Sequence, residues 1–163
     1  MLLKKSKNNK DVKFILNNLR AVDIEESKFV YGENWKKASL KNIMNPTCQV
    51  VIGVDKDTNL PVCMGGVSPM GEYVNGIGVV WFLSTDDIKK HKYSVLKEFK
   101  KQFEEYDKTY WFLYNFIFHK NRLAKNWLKW LGFCFDLKNI YKTKVSLEFE
   151  FFYRIRKPKG LLD

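Results

Sequence analysis

Tyr110-Trp-Phe-Leu-Tyr-Asn-Phe-Ile-Phe118, followed by His119-Lys-Asn-Arg-Leu-Ala-Lys-Asn-Trp-Leu-Lys-Trp-Leu-Gly-Phe133, is the stretch on which the fold turns. Its first nine residues are aromatic-rich and apolar apart from Asn115, the pattern of a strand buried on both faces. The period then changes. Asn121 can cap a helix, Ala124, Trp127, Leu128 and Leu131 recur at helical spacing, and Gly132 suits a left-handed stop.

Working toward the N-terminus, Leu96, Phe99, Phe103 and Tyr106 predict a helix whose outer face carries Lys97, Lys100, Lys101 and Glu104. Tyr93 and Ser94 open it, after a polar, basic loop over 84–92 and a buried strand over 79–83. A glycine-containing connection covers 71–78. Two apolar runs, 48–54 and 60–67, flank a polar turn at 55–59 and predict a hairpin. Val12, Ile15, Leu16 and Leu19 predict a helix from Asp11 to about Asp23 or Glu26, with Asp11 at its start. A second helix covers 34–44 and stops at Asn45-Pro46. Toward the C-terminus, 133–135 and 146–155 read as two antiparallel strands joined through a basic turn at 138–144. The expected order is ααβββαβαββ, an α/β (α+β) fold. It forms one domain over 11–157, behind a basic flexible leader at 1–10 and before a tail at 158–163.

Composition narrows the classes. The 163 residues are 45% hydrophobic and 16% aromatic, which supports a packed core and excludes wholesale disorder. No apolar run approaches the roughly 20 residues of a membrane-spanning helix. No segment resembles a signal peptide either, so the expected location is the cytoplasm. Lysine and arginine total 29 against 18 acidic residues, a net charge of +11. Such an excess draws anionic partners, whether nucleic acid, phosphorylated cofactor or acidic protein, or is simply a solvated lysine surface. No nucleic-acid-binding motif is present. Cys48, Cys63 and Cys134 lie in apolar stretches without zinc spacing, and His91 and His119 are the only histidines. Buried, reduced thiols and no metal site are therefore expected. Trp81, Trp111, Trp127 and Trp130 sit at core-compatible positions and read as packing residues rather than stacking platforms.

The segment Asn121-Arg-Leu-Ala124, with Trp130-Leu-Gly132-Phe133 after it, resembles the Asn-x-x-Ala and Leu-Gly-Phe elements of the GNAT (acyl-CoA N-acyltransferase) fold. Asn18-Leu-Arg-x-x-Asp23-x-x-Glu26, Trp81-Phe-Leu-Ser-Thr85 and Trp127-Leu-x-Trp-Leu-Gly-Phe133 together look like a bacteriophage GNAT-like family that includes internal virion protein A. The resemblance implies a mixed sheet with two central parallel strands that splay apart, here 79–83 and 110–118. The pantetheine of an acyl-CoA would pair with the earlier strand, at Phe82, Leu83 and Ser84. Its pyrophosphate would meet the next helix start near Lys92, Tyr93 and Ser94, with Lys89 and Lys90 just before, and Asn121 opens the helix beside the pantetheine arm. Two departures stand out. Residues 86–93 contain no glycine, and Leu128 occupies the place of the family's tyrosine acid.

The residues themselves offer few substitutes. Asp23 and Glu26 are three apart, so they share a helix face and could hold or deprotonate an amine; otherwise they pair with Lys28 or Arg20 in a solvated turn. Thr85 and Asp86 end a central strand, where α/β loops carry chemistry, or merely cap. His119 is a candidate base or an ordinary strand-end residue. Asn115 either lines an acceptor pocket or bridges strands. The expected function is transfer of an acetyl (acyl) group from acyl-CoA to an amine. The alternatives are a non-catalytic phage assembly, virion or interaction protein, and a nucleic-acid-binding or base-modifying protein.

Overall fold

The computed structural model describes residues 2–4, 7–71, 75–142 and 148–156. Their elements are β1 (Leu2–Lys4), α1 (Asn9–Asn17), α2 (Ala21–Tyr31), a 3-10 turn (Gly32–Asn34), α3 (Trp35–Ile43), β2 (Gln49–Val54), β3 (Pro61–Pro69), β4 (Ile77–Ser84), α4 (Ile88–Tyr106), β5 (Phe112–Phe118), α5 (Arg122–Trp130), β6 (Cys134–Lys142) and β7 (Glu148–Ile155). The architecture is α/β, a mixed sheet flanked by helices. None of the described helices is long and apolar enough to cross a membrane. The chain divides into two compact units, Met1–Ser68 with Trp81–Glu98, and Pro69–Val80 with Phe99–Asp163.

In the first unit the strand order is β1-β2-β3 and then the second half of β4. β1 and β2 are antiparallel, Leu2 opposite Val54, and so are β2 and β3, Gln49 opposite Val67. Val12, Ile15, Leu16 and Leu19 from the first helical segment, with Trp35 and Ile43 from α3, pack on Val50, Ile52, Val54 and Met64. Trp81 and Leu83 of β4 border that core. Gly66 of β3 is required there, since a Cβ would stand 2.1 Å from the Gln49 carbonyl oxygen and 2.8 Å from Trp81 Cζ2.

In the second unit the order is the first half of β4, then β5-β7-β6. β4 and β5 run parallel, the arrangement that needs a helical crossover, which α4 supplies. β5 and β7 pair antiparallel along their whole length, from Phe112 opposite Ile155 to Phe118 opposite Phe149. Phe103 of α4, Phe133 and Phe152 of β7 meet edge to face at centroid distances of 5.2 and 5.4 Å. Gly132 ends α5 at φ 85°, as its sequence position predicts.

Several expectations need correction. Leu2–Lys4, read as part of a basic leader, is a strand. The single helix expected from Asp11 breaks at residues 18–20 into α1 and α2; Asn8 caps it, accepting from the Lys10 N–H, and Asp11 sits in the first turn, where an acidic group favours the helix dipole. There Leu19 forms a bridge with Thr85, a long-range contact that periodicity cannot reveal. α4 starts at Ile88, not Tyr93. β6 is longer than the 133–135 strand expected and takes in most of the anticipated basic turn; residues 143–144 of that turn, 146–147 of the strand expected after it, and the tail lie outside the described residues. Trp111 and Trp130 are exposed, not core, and Cys134 is exposed, whereas Cys48 and Cys63 are buried. Burial pushes the Cys63 thiol up to about 12, so it stays neutral.

Candidate active site

In the first unit the link between α1 and α2 is clasped to the end of β4. Arg20 donates from Nε (2.9 Å) and Nη2 (2.7 Å) to the two carboxylate oxygens of Asp23. Asp23 Oδ2 also accepts from the Ser84 backbone N–H at 3.1 Å, and the Arg20 N–H donates to the Ser84 carbonyl at 3.1 Å. Arg20, Asp23 and Ser84 are all buried. Burial is the largest influence on Asp23 and pushes its carboxyl above the usual range, against the lowering pull of Arg20 and of the Ser84 N–H. The pairing of Asp23 with Arg20 read from the sequence as a solvated turn is thus a buried ion pair. Thr85 is buried beside it. Its N–H (2.9 Å) and its hydroxyl (3.1 Å) both donate to the Val62 carbonyl. Glu26 lies half-buried one turn further along α2.

The start of α4 differs from the expected anion site. Lys92, Tyr93 and Ser94 lie within the helix, not at its opening; Ser94 donates its hydroxyl to the His91 carbonyl at 2.9 Å. Tyr93 is 77% exposed, with Lys92 Nζ 5.0 Å from its ring centroid. The residues ahead of the helix are Asp86 and Asp87, paired with Lys89 (2.9 Å) and Lys90 (2.6 Å). Acidic groups there favour the helix N-terminus. The Lys89 partnership holds the Asp86 carboxyl below its ordinary value. The first-turn amides of Ile88, Lys89 and Lys90 already donate to the carbonyls of Thr85, Asp86 and Asp87. Three lysines, Lys89, Lys90 and Lys92, against two aspartates still leave this helix start net positive.

The adjoining hairpin turn carries a second charged contact. Asp55 Oδ1 accepts from the N–H groups of Thr58 (3.1 Å) and Asp57 (2.7 Å), and Oδ2 pairs with His91 Nε2 at 2.8 Å. The Thr58 and Asp57 N–H groups, followed by His91, hold the Asp55 carboxyl below the usual range. A depressed folded value means the stabilisation is present above the ordinary aspartate pKa of about 3.9 and is lost as pH falls through the folded value. In urea unfolding, the stability gap between wild type and Asp55→Asn should close progressively as pH falls below about 4, relative to its size at about pH 5.

In the second unit the parallel ladder is short: Ile77↔Phe112, Gly78↔Leu113 and Val79↔Tyr114. β4 continues to Ser84 and β5 to Phe118. Asn115 closes the ladder, its Nδ2 donating to the Val80 carbonyl and its Oδ1 accepting from the Phe116 N–H, both at 2.7 Å. Asn115 therefore bridges strands. His119 is half-buried in the turn after β5, 5.3 Å from the Phe118 ring by centroid. Asn121 caps α5, accepting from the Ala124 N–H at 3.4 Å. The structure brings Asp23, Ser84 and Thr85 together, sets Phe82 and Leu83 on β4 before them, and leaves Glu26 a turn away.

These features, a seven-stranded mixed sheet with a short parallel pair whose strands lead into α4 and α5, can be set against solved structures. Aminoglycoside 6'-acetyltransferase type Ii matches with a TM-score of 0.67 at 14% identity, over 98% of this chain and 100% of that one. The acetyltransferase of GNAT family from Streptococcus pneumoniae matches with a TM-score of 0.63 at 12% identity, over 96% and 99%. The fold is the GNAT fold. Spermidine N-acetyltransferase from Vibrio cholerae, solved in complex with CoA and spermine, shares that fold with a TM-score of 0.67 at 11% identity, covering 94% of each chain. No family profile and no curated protein matches the sequence.

What sequence reasoning missed on this GNAT framework is Arg20 as a buried partner and the Val62 carbonyl as the anchor of Thr85. The Arg20 to Asp23 spacing was visible, but its burial was not. Asp86-Asp87 directly ahead of Ile88 was a legible helix-start signature.

Proposed function

We propose that the chain transfers an acyl group from an acyl-CoA to an amine. The observation that carries this reading is the three-pair parallel ladder, beyond which β4 runs on to Ser84 and β5 to Phe118. The likeness in fold to proteins named acetyltransferases, one of them holding CoA and spermine, supports it. Acyl-CoA supplies the activated thioester. Phe82 and Leu83 orient the pantetheine, and Lys89, Lys90 and Lys92 in the first turns of α4 meet its phosphates. Glu26 accepts the proton of the attacking amine. Asp23 and Thr85 position the end of β4 rather than touch the amine. Leu128 offers no proton, so the thiolate departs to solvent.

A second reading, a non-catalytic assembly, virion or interaction protein on the same fold, is favoured by one feature: Asp86 and Asp87 stand where an anionic cofactor would approach. Isothermal titration with acetyl-CoA, using desulfo-CoA as control, separates the two. Saturable micromolar binding is the expected result, and a 100-fold excess over Kd should stabilise the fold by about 2.7 kcal/mol in urea unfolding. No heat and no stabilisation at millimolar cofactor would reject the transferase reading. Salt-dependent DNA binding in the same preparation would then favour the nucleic-acid role.

A further inference from the structure

One face of α5 is open to solvent. Its exposed residues are Arg122, Asn126, Lys129 and Trp130, which share that face at i, i+4, i+7 and i+8. The charges there have one sign. Residues 119–135 hold Lys120, Arg122, Lys125 and Lys129 and no acidic residue. Lys125 is committed to Glu150 at 2.5 Å. Among the other cations stands a tryptophan ring, Trp130, 54% exposed. Lys100 of α4 reaches it, Nζ 5.3 Å from the ring centroid, and Lys129 lies 5.7 Å from the half-buried Phe135 ring. On α4 the next exposed position of that face is Glu104, so the cationic patch ends within a turn of Lys100. Exposed lysines alone are ordinary solvation. A large aromatic ring left half in water between cations is not, because tryptophan gains so much from burial.

We propose that this face of α5, together with Lys100, binds single-stranded nucleic acid. Cations that track phosphates and an aromatic ring on which a base stacks are the two components of sequence-tolerant single-strand binding. The spacing suits that ligand. From Arg122 to Lys129 the helix rises about 10 Å, at about 1.5 Å per residue. That matches about three steps of a strand stacked at about 3.4 Å per nucleotide. A duplex hides its base faces, so it would use the cations and leave Trp130 idle. A carboxylate-rich peptide would likewise satisfy the cations without setting a flat partner on the indole. The net charge of +11 adds long-range attraction for a polyanion. This surface lies in the second unit and uses none of the residues assigned to acyl-CoA.

The test titrates the full chain into fluorescein-labelled oligo(U) and oligo(dT), read by fluorescence anisotropy across a salt series. The expected result is saturable binding whose log–log dependence on salt has a slope of about −2, from phosphate contacts at about −0.7 each by Lys100, Arg122 and Lys129. Trp130→Leu keeps an apolar side chain and removes the ring. It should raise Kd at least about fivefold and leave the slope unchanged. Lys129→Gln should make the slope shallower by about 0.7. Lys129 is exposed, so its variant keeps the test decisive if circular dichroism shows that Trp130→Leu folds poorly. No anisotropy change at low salt overturns the proposal, as does binding that both variants leave unchanged. Equal affinity for a duplex of the same length, with Trp130→Leu neutral, overturns it in favour of charge alone. Tighter binding to phosphatidylserine vesicles than to either oligonucleotide overturns it in favour of a lipid surface.

Discussion

Asp23→Ala should lower the unfolding free energy by about 3–5 kcal/mol, because it strands a buried guanidinium. Arg20 sits with 9% of its side chain exposed and gives two hydrogen bonds to a carboxylate only 2% exposed. The same change also removes the acceptor of the Ser84 N–H. Urea unfolding monitored by tryptophan fluorescence measures the loss. The double variant Arg20→Met with Asp23→Leu should recover most of it, since replacing both partners of a buried pair by apolar groups leaves no orphan charge. Equal losses in the single and double variants would show that the loop conformation, not the charge, is what matters. If Asp23 instead served as the amine's base, Asp23→Asn would abolish transfer while acyl-CoA binding stayed intact. As a positioning group, its loss weakens binding and transfer together.

Arg154→Ala should have an effect of similar size, again about 3–5 kcal/mol, for a different mixture of reasons. Its guanidinium joins Asp107 and the Leu131 carbonyl, and it lies 5.6 and 5.9 Å from the ring centroids of Phe103 and Phe133. Arg156 also reaches Asp107, at 3.3 Å, so the carboxylate keeps one partner. The unmet Leu131 carbonyl at the end of α5 and the lost cation–π contacts remain. For a chain of this size each kcal/mol moves Tm by about 2–4 °C, so calorimetry should show a drop of roughly 10 °C. Arg154→Lys should recover only part of that, since an ammonium cannot address both acceptors in one plane.

Much of the fold was legible because the strongest periodic signals were also the buried ones. Phe99, Phe103 and Tyr106 face inward as their spacing predicts, and Asn121 caps α5 as read. The misread boundaries are those set by contacts distant in sequence. Nothing local in residues 18–20 announces a break, because the cause is Leu19 joining Thr85. Residues 84–92 looked like a basic loop because lysines dominate, yet Ile88 is fully buried and marks the true start of α4. Tyr110 to Phe118 looked buried on both faces because apolarity was equated with burial, and the exposed Phe116 shows the difference. For the candidate site, residue types were readable but their pairing was not: Asp23, Ser84 and Thr85 meet only because β4 returns to the α1–α2 link.

The two buried charges of β7, Glu150 and Arg154, also guard the strand against mispairing. Side chains alternate faces, so a slip of one residue would carry Glu150 and Arg154 onto the aromatic side and turn Phe151 and Tyr153 inward. Lys125 and Asp107 would then confront hydrocarbon in place of their counter-charges. An all-aromatic strand could slide at small cost. These two charges make the shifted pairings expensive and so select a single arrangement of the sheet edge.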